Sequence, residues 1–198
     1  MKKCDLKLVL SFMGILWGIH FLNLMLPWEL RTLGLSPRTL HGLWGILFAP
    51  FLHANLAHLM SNSIPLLVLG LAFLSLYRQH LVDAFIIILL TQGIGVWIFG
   101  RVAVHFGASG LVYGLITYLI IFGVLRKKPV SICLAVAVAI YYGGTLLLGI
   151  LPIYRFISWE GHLFGAIGGI LAAFLTREEE QREARESISP TTDSIQLK

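Results

Sequence analysis

Between Val102 and Leu125 the chain carries no Asp, Glu, Lys or Arg, and a second such run extends from Leu8 to Trp28. An α-helix needs about 20 apolar residues to cross a hydrocarbon core. Backbone placed there must satisfy its own N–H and C=O groups, which leaves only helices or a closed barrel. These runs are uniformly apolar and lack the alternation of barrel strands, so helices are expected. Composition agrees: 57% of the 198 residues are hydrophobic and 13% are charged, against about a quarter charged in a soluble domain. The expected fold class is all-α, a polytopic membrane protein with a bundle of six transmembrane helices.

Taken in order, Leu8 to Trp28 reads as helix 1. It is too long for the apolar core of a signal peptide and lacks a small-x-small cleavage site, so it is expected to remain uncleaved. Glu29 to Asn55 is too polar to span, with Arg31, Arg38, His41 and His53, yet it contains apolar patches such as Ile46-Leu47-Phe48. A first loop that partly dips into the bilayer fits that mixture. Helix 2 is expected over about 56–77, helix 3 over 82–100, helix 4 up to Leu125, helix 5 over 130–151 and helix 6 from Glu160 to Thr176. Residues 1–176 thus form one membrane domain. Residues 177–198 form a charged, soluble tail, rich in Ser, Thr and Pro towards its end and expected to be disordered beyond a helical extension.

If the N-terminus lies inside, eleven of the 15 Lys and Arg residues fall on the inner side, and Arg31, Arg38, Arg101 and Arg155 fall outside. The positive-inside rule then places both termini in the cytoplasm. Small size and the lack of organelle signals point to a bacterial inner membrane. The net charge of +5 reflects anchors at helix ends rather than a nucleic-acid surface, and no nucleic acid is expected. Cys4 and Cys133 suggest neither a disulfide framework nor a metal site.

Helices 2, 4 and 6 all run from outside to inside, so their first turns lie at one depth. Helix 2 brings His58 and Asn62, four apart and on one face. Helix 4 brings Ser109 and Tyr113, and helix 6 brings His162. Polar residues inside spans are costly and usually functional. Gly110 and Gly114 on helix 4, with Gly161, Gly165 and Gly169 on helix 6, allow close backbone approach, which would bring His162 to the Ser109 hydroxyl.

Serine becomes a nucleophile when a base takes its proton, and histidine is the usual base near neutral pH. The Ser109 N–H, His58 and the Asn62 amide are candidate donors to a developing oxyanion. No carboxylate stands ready to complete a triad, because Glu160 would point away from His162 on a helix. The reading is a Ser109–His162 dyad with Tyr113 supporting the imidazole ring. The Gly-x-Ser-x-Gly elbow is not met, since position 111 is Leu. His-Glu-x-x-His is absent, and His53 and His58 do not share a helix face as a zinc pair would.

At these residues the chain resembles the rhomboid family of intramembrane serine proteases. Gly107-Ala108-Ser109-Gly110 is similar to the family's Gly-x-Ser-Gly motif and His58-Leu59-Met60-Ser61-Asn62 to its His-x-x-x-Asn. His162-Leu163-Phe164-Gly165 with Gly169 is similar to its last-helix motif, and Tyr113 falls where the family packs an aromatic ring on the catalytic histidine. The likeness extends from about Leu33 to Gly169. It implies a six-helix bundle with a membrane-dipping first loop, and Ser109 as nucleophile with His162 as base. It implies an oxyanion hole of His58, Asn62 and the Ser109 N–H, with Gly107, Gly110, Gly165 and Gly169 in support. It implies no metal and no cofactor. The partners it implies are the lipid bilayer and single-pass membrane proteins, cut near the outer face at small residues. Trp44-Gly45 departs from the family's Trp-Arg, and Gly45 cannot make that arginine's loop-anchoring contacts. Two other readings remain: a catalytically inactive rhomboid-like protein that binds transmembrane clients, and a transporter relaying protons through His58, His105 and His162. The sequence does not fix the oligomeric state.

Overall fold

In the computed structural model, which describes residues 3–154 and 156–188, six long helices form a bundle. They are α1 (Lys3–Met25), α2 (Leu56–Tyr77), α3 (Leu81–Phe99), α4 (Ser109–Leu125), α5 (Pro129–Gly149) and α6 (Trp159–Ile188). The segments Asp5–Met25, Leu56–Phe99 and Pro129–Gly149 are long and apolar enough to cross a membrane, and Ser109–Leu125 is a shorter apolar helix. Among the described residues there is no strand, only an isolated antiparallel bridge between Leu35 and His105. This is a multi-pass helical membrane bundle.

The bundle is organised around α4. Leu111, Val112, Ile116, Tyr118, Leu119 and Phe122 are buried against Leu59, Leu69, Phe73 and Tyr77 of α2 and Ile88 of α3. α6 packs against both α3 and α4, whereas α5 meets the rest of the bundle mainly through α4. Glycine sets the closeness of the α4–α6 contact. A Cβ at Gly165 would fall on the Gly110 backbone, and one at Gly169 would fall on the Gly114 carbonyl and the Thr117 hydroxyl. Across the same seam, Thr117 Oγ1 donates to the Ala166 carbonyl at 2.8 Å. Gly110 itself faces the Gln92 side chain of α3, so this glycine admits a third helix as well as α6.

Helix 2 runs over the expected residues, while the other boundaries move by a few residues. α6 differs most: it runs past Thr176 to Ile188, so the helical extension expected of the tail continues the last span without a break. Glu180, on the extension, pairs with Arg126 at 2.5 Å, and Arg126 lies over the rings of Tyr77 and Phe122. The charged segment is therefore docked on the bundle. At the same end the Arg78 guanidinium pairs with the buried carboxylate of Asp5. Arg155 and the residues after Ile188 lie outside the described residues.

The first loop holds short helical turns, including Gly45–Phe48 and Ala49–Phe51. The anchor that Gly45 cannot provide comes from Arg38. Its Nη1 donates to the carbonyls of Ile98 (3.0 Å) and Gly100 (2.8 Å), at the end of α3, where helix carbonyls lack intrahelical donors. Its N–H donates to the Trp97 carbonyl, and Trp97 Nε1 returns a bond to the Thr39 carbonyl at 2.9 Å. Gly45 packs on the Leu35 backbone with no room for a Cβ. The loop exposes Leu40, Trp44, Leu47 and Phe48 on its outer side.

Candidate active site

Ser109 is the first residue of α4. Its N–H is therefore one of those that a helix cannot satisfy internally, and it carries the positive end of the helix dipole. The preceding Gly107 has φ +112°, a conformation that favours glycine. A Cβ there would also meet the His58 ring at 2.7–2.8 Å. The turn thus lets helix α2 lay His58 and Asn62 over the entrance of α4. Asn55 fixes that end of α2 by accepting the His58 N–H at 2.8 Å, an N-cap.

Asn62 is 4% exposed, and its Nδ2 has no hydrogen-bond partner among the described residues. An unpaired buried donor is costly; here it borders a cavity of about 700 Å³ lined by His58, Asn62, Ser109, Tyr113 and His162. The sequence-derived residues of helices 2, 4 and 6 thus share one chamber. His53 packs edge-on to the His58 ring at 5.1 Å between centroids, closer than the spacing alone indicates.

His162 is held on two sides. Its ring stacks on Tyr113, with centroids 4.0 Å apart and planes 7° from parallel. Its Nδ1 lies 2.9 Å from the Gly149 carbonyl, in the last turn of α5. A carbonyl only accepts, so Nδ1 carries the proton and Nε2 presents a lone pair. The Tyr113 hydroxyl donates to the Thr145 carbonyl, one turn earlier, at 2.8 Å. Two terminal carbonyls of α5 therefore fix a ring pair shared by α4 and α6. No direct hydrogen bond joins the Ser109 hydroxyl to His162 among the described residues; such bonds are often long before a substrate binds. Among the described residues no three His, Cys, Asp or Glu side chains gather as metal ligands.

The sequence reading missed Gly149, whose contribution is a backbone carbonyl. Glu160 was expected to point away from His162, and its Oε1 does face elsewhere: it accepts the Arg101 N–H at 3.2 Å and lies 3.7 Å from Arg101 Nε. His105 connects Ser158 (Nδ1 to Oγ, 2.7 Å) with the Arg101 carbonyl (Nε2, 3.1 Å). Burial holds the His105 imidazole below its usual range, with the Arg101 carbonyl opposing. In the neutral ring Nε2–H donates to that carbonyl and Nδ1 accepts the Ser158 hydroxyl proton.

Ser109, Asn62 and a histidine whose Nδ1 is engaged thus border one chamber inside the helical bundle. A model of the rhomboid domain matches residues 40–179, and the chain belongs to the rhomboid family. An uncharacterized protein of Mycobacterium tuberculosis (strain H37Rv) is 38% identical over 183 residues, covering 88% of this chain and 76% of the relative. One of Mycobacterium leprae is 37% identical over 201 residues, covering 96% and 78%. A Bacillus subtilis protein provisionally named as the rhomboid protease YdcA is 27% identical over 190 residues, covering 88% and 89%.

Proposed function

We propose that this chain is an intramembrane serine endopeptidase that cuts single-pass membrane proteins. The observation that carries the reading is the setting of His162. With Nδ1 engaged by Gly149 and the ring stacked on Tyr113, the free Nε2 borders the chamber that Ser109 also lines. In a triad an acid fixes the base's tautomer and orientation; here a carbonyl and a ring do so.

His162 Nε2 takes the Ser109 proton as Oγ attacks the scissile carbonyl carbon. The carbonyl oxygen becomes an oxyanion bound by the Ser109 N–H, the Asn62 amide and the His58 ring. The protonated His162 then gives its proton to the leaving amine, and an acyl-Ser109 ester remains. Water attacks that ester, His162 again accepts the proton, and Ser109 is regenerated with release of the acid. The chamber lies between Ser61 and Pro65 of α2 and Tyr141 and Tyr142 of α5, so a transmembrane segment would enter from the lipid between these helices. Basic residues at the opposite end of the bundle support cytoplasmic termini and a Ser109 end facing outward.

A membrane-impermeant fluorophosphonate applied to intact cells tests chemistry and orientation together. The adduct, mapped by mass spectrometry, is expected on Ser109 alone. Ser109→Ala abolishes both label and cleavage of a model substrate, and His162→Ala nearly does so, since an unactivated hydroxyl is a weak nucleophile. A folded protein that takes no label even in detergent, and cuts nothing, is instead a client-binding member of the family. Labelling in detergent but not in cells overturns the orientation alone.

A further inference from the structure

The segment that delivers Ser109 and the segment that delivers His162 are tied by side chains at the wall of the chamber, which Arg101, His105 and Ser158 line and Glu160 backs from outside. Arg101 and His105 precede Ser109 by eight and four residues; Ser158 and Glu160 precede His162 by four and two. Arg101 binds the second segment twice, through its N–H to Glu160 Oε1 at 3.2 Å and through Nη2 to the Ile157 carbonyl at 2.6 Å. His105 bonds Ser158 Oγ at 2.7 Å, and that oxygen also accepts the Gly161 N–H at 3.2 Å, capping α6. His105 is in turn pinned to the first loop, its N–H and C=O both paired with Leu35 at 2.8 Å. One run of bonds thus passes from the first loop through the Ser109 segment to the first turn of α6.

Glu160 is 2% exposed and its Oε2 has no partner among the described residues. Burying a carboxylate against one arginine is weak support for stability, because desolvation offsets the attraction. Its use lies in geometry. A bond made from the backbone N–H of Arg101 fixes the chain, and not merely a mobile side-chain end. The Gly165–Gly110 contact sets how closely the helices pack and the Thr117–Ala166 bond holds the seam further along α4, but neither fixes the orientation of the first turn of α6. The polar ties fix it, at the end where the reacting groups sit.

We propose that Ser158 and Glu160, with His105 and Arg101, are positioning residues that hold the first turn of α6, and so His162 Nε2, in register with the Ser109 hydroxyl. The inference rests on the protease reading. Their bonds to one another act on His162 through the backbone of the first turn of α6, as a triad acid acts through the ring.

The test uses the full chain in liposomes with a transmembrane model substrate. Three quantities are measured: the rate constant for fluorophosphonate capture of Ser109, kcat and KM, and the thermal midpoint. Ser158→Ala is expected to slow capture and kcat by about tenfold, the worth of one hydrogen bond, with KM within about twofold. Ser158→Thr keeps the hydroxyl and the cap, and is expected to restore most of both rates. The pair His105→Ala and Ser158→Ala is expected to cost less together than the product of the two single losses, because they share one bond. Glu160→Gln keeps the acceptor for the Arg101 N–H and is expected to lose less than Glu160→Ala.

Native capture by folded Ser158→Ala protein overturns the brace. So does a defect confined to KM, a Thr variant no better than Ala, or independent multiplication of the two losses. If Glu160→Ala fails to fold, the Ser158 series decides. A native protein that takes no label sinks the protease reading and the brace with it. A native protein that labels, with variants equal to it, sinks the brace alone.

Discussion

The two glycine-bearing flanks of the bundle look alike in sequence and differ completely in packing. On α6, Gly165, Gly168 and Gly169 each press against a neighbouring helix, where a Cβ would meet the backbone of Gly110, Ile88 or Gly114. On α5, Gly143 and Gly144 have nothing within 4 Å of the place a Cβ would take. The first flank is a seam with backbone against backbone. The second belongs to a helix whose Ile140 and Tyr141 are 80% and 78% exposed, and which bounds the open side of the chamber. Close packing fixes distances, as the approach of two reacting groups needs; loose packing leaves a way in. The fold assigns one property to each side of the proposed dyad.

The largest effect expected from breaking this contrast lies on the closed flank. Gly165→Val drives a side chain into the Gly110 carbonyl and separates α4 from α6 near Ser109. Cleavage should fall below detection while the protein still inserts, as read by membrane extraction and protease protection. Interiors packed to crystal-like density have no slack to absorb an added isopropyl group. Native cleavage by this variant would show that the approach of His162 to Ser109 does not depend on the seam.

A smaller loss is expected from the donors on α2, which face the chamber from its open side. Asn62→Ala should reduce kcat by about 10²–10³, the usual cost of one oxyanion donor, with little change in KM. His58→Ala should act in the same direction. It should fall short of Asn62→Ala in size, because the His58 ring is only half-buried while the Asn62 amide is buried and unpartnered. If both variants cleave at native rates, α2 contributes packing and no transition-state stabilisation.

Much of this was legible beforehand for a physical reason: spans are written in runs of uncharged residues, and membrane-embedded polar residues are rare enough to stand out. Ser109, His58, Asn62 and His162 could be set at one level from helix direction alone. What stayed hidden depends on long-range backbone partners. Gly149 acts by a carbonyl, which every residue owns, so no residue type marks it. Arg38 replaces the anchor missing at Gly45 by reaching the end of α3, about 60 residues away, and local pattern does not register such a contact. The Glu178-Glu179-Glu180 run reads as solvated tail, but Glu180 is drawn back to the bundle by Arg126. Glu160 is visible as a charge beside His162, yet its partner Arg101 lies on another loop and no local pattern names it. In each case the sequence shows the group, and only the fold shows what faces it.

The finest test of the contrast lies within α5 itself. Gly144 and Gly149 sit on one helix, five residues apart. A Cβ at Gly144 meets open space, whereas one at Gly149 would overlap the Tyr113 hydroxyl. Gly149→Ala must therefore tilt the Tyr113 ring, on which His162 stacks, and shift the carbonyl that holds His162 Nδ1. A displaced base is expected to lower kcat roughly tenfold, since small misplacements of reacting groups cost rate steeply. Adding Tyr113→Phe removes the nearest obstructing atom but leaves ring carbons 2.5 and 2.9 Å from that Cβ, so it should return only part of that loss, and the Thr145 carbonyl forfeits its donor. Gly144→Ala should leave kcat and KM unchanged and stabilise the helix by about 0.5–1 kcal/mol, the usual gain over glycine inside a helix. Both read-outs come from one set of variants, assayed for cleavage and thermal midpoint. If Gly144→Ala is as damaging as Gly149→Ala, α5 is closely packed along its length and the open flank does not exist. If Tyr113→Phe returns none of the loss, the overlap with the hydroxyl is not what displaces the base, and the ring carbons and the Gly149 carbonyl account for the defect.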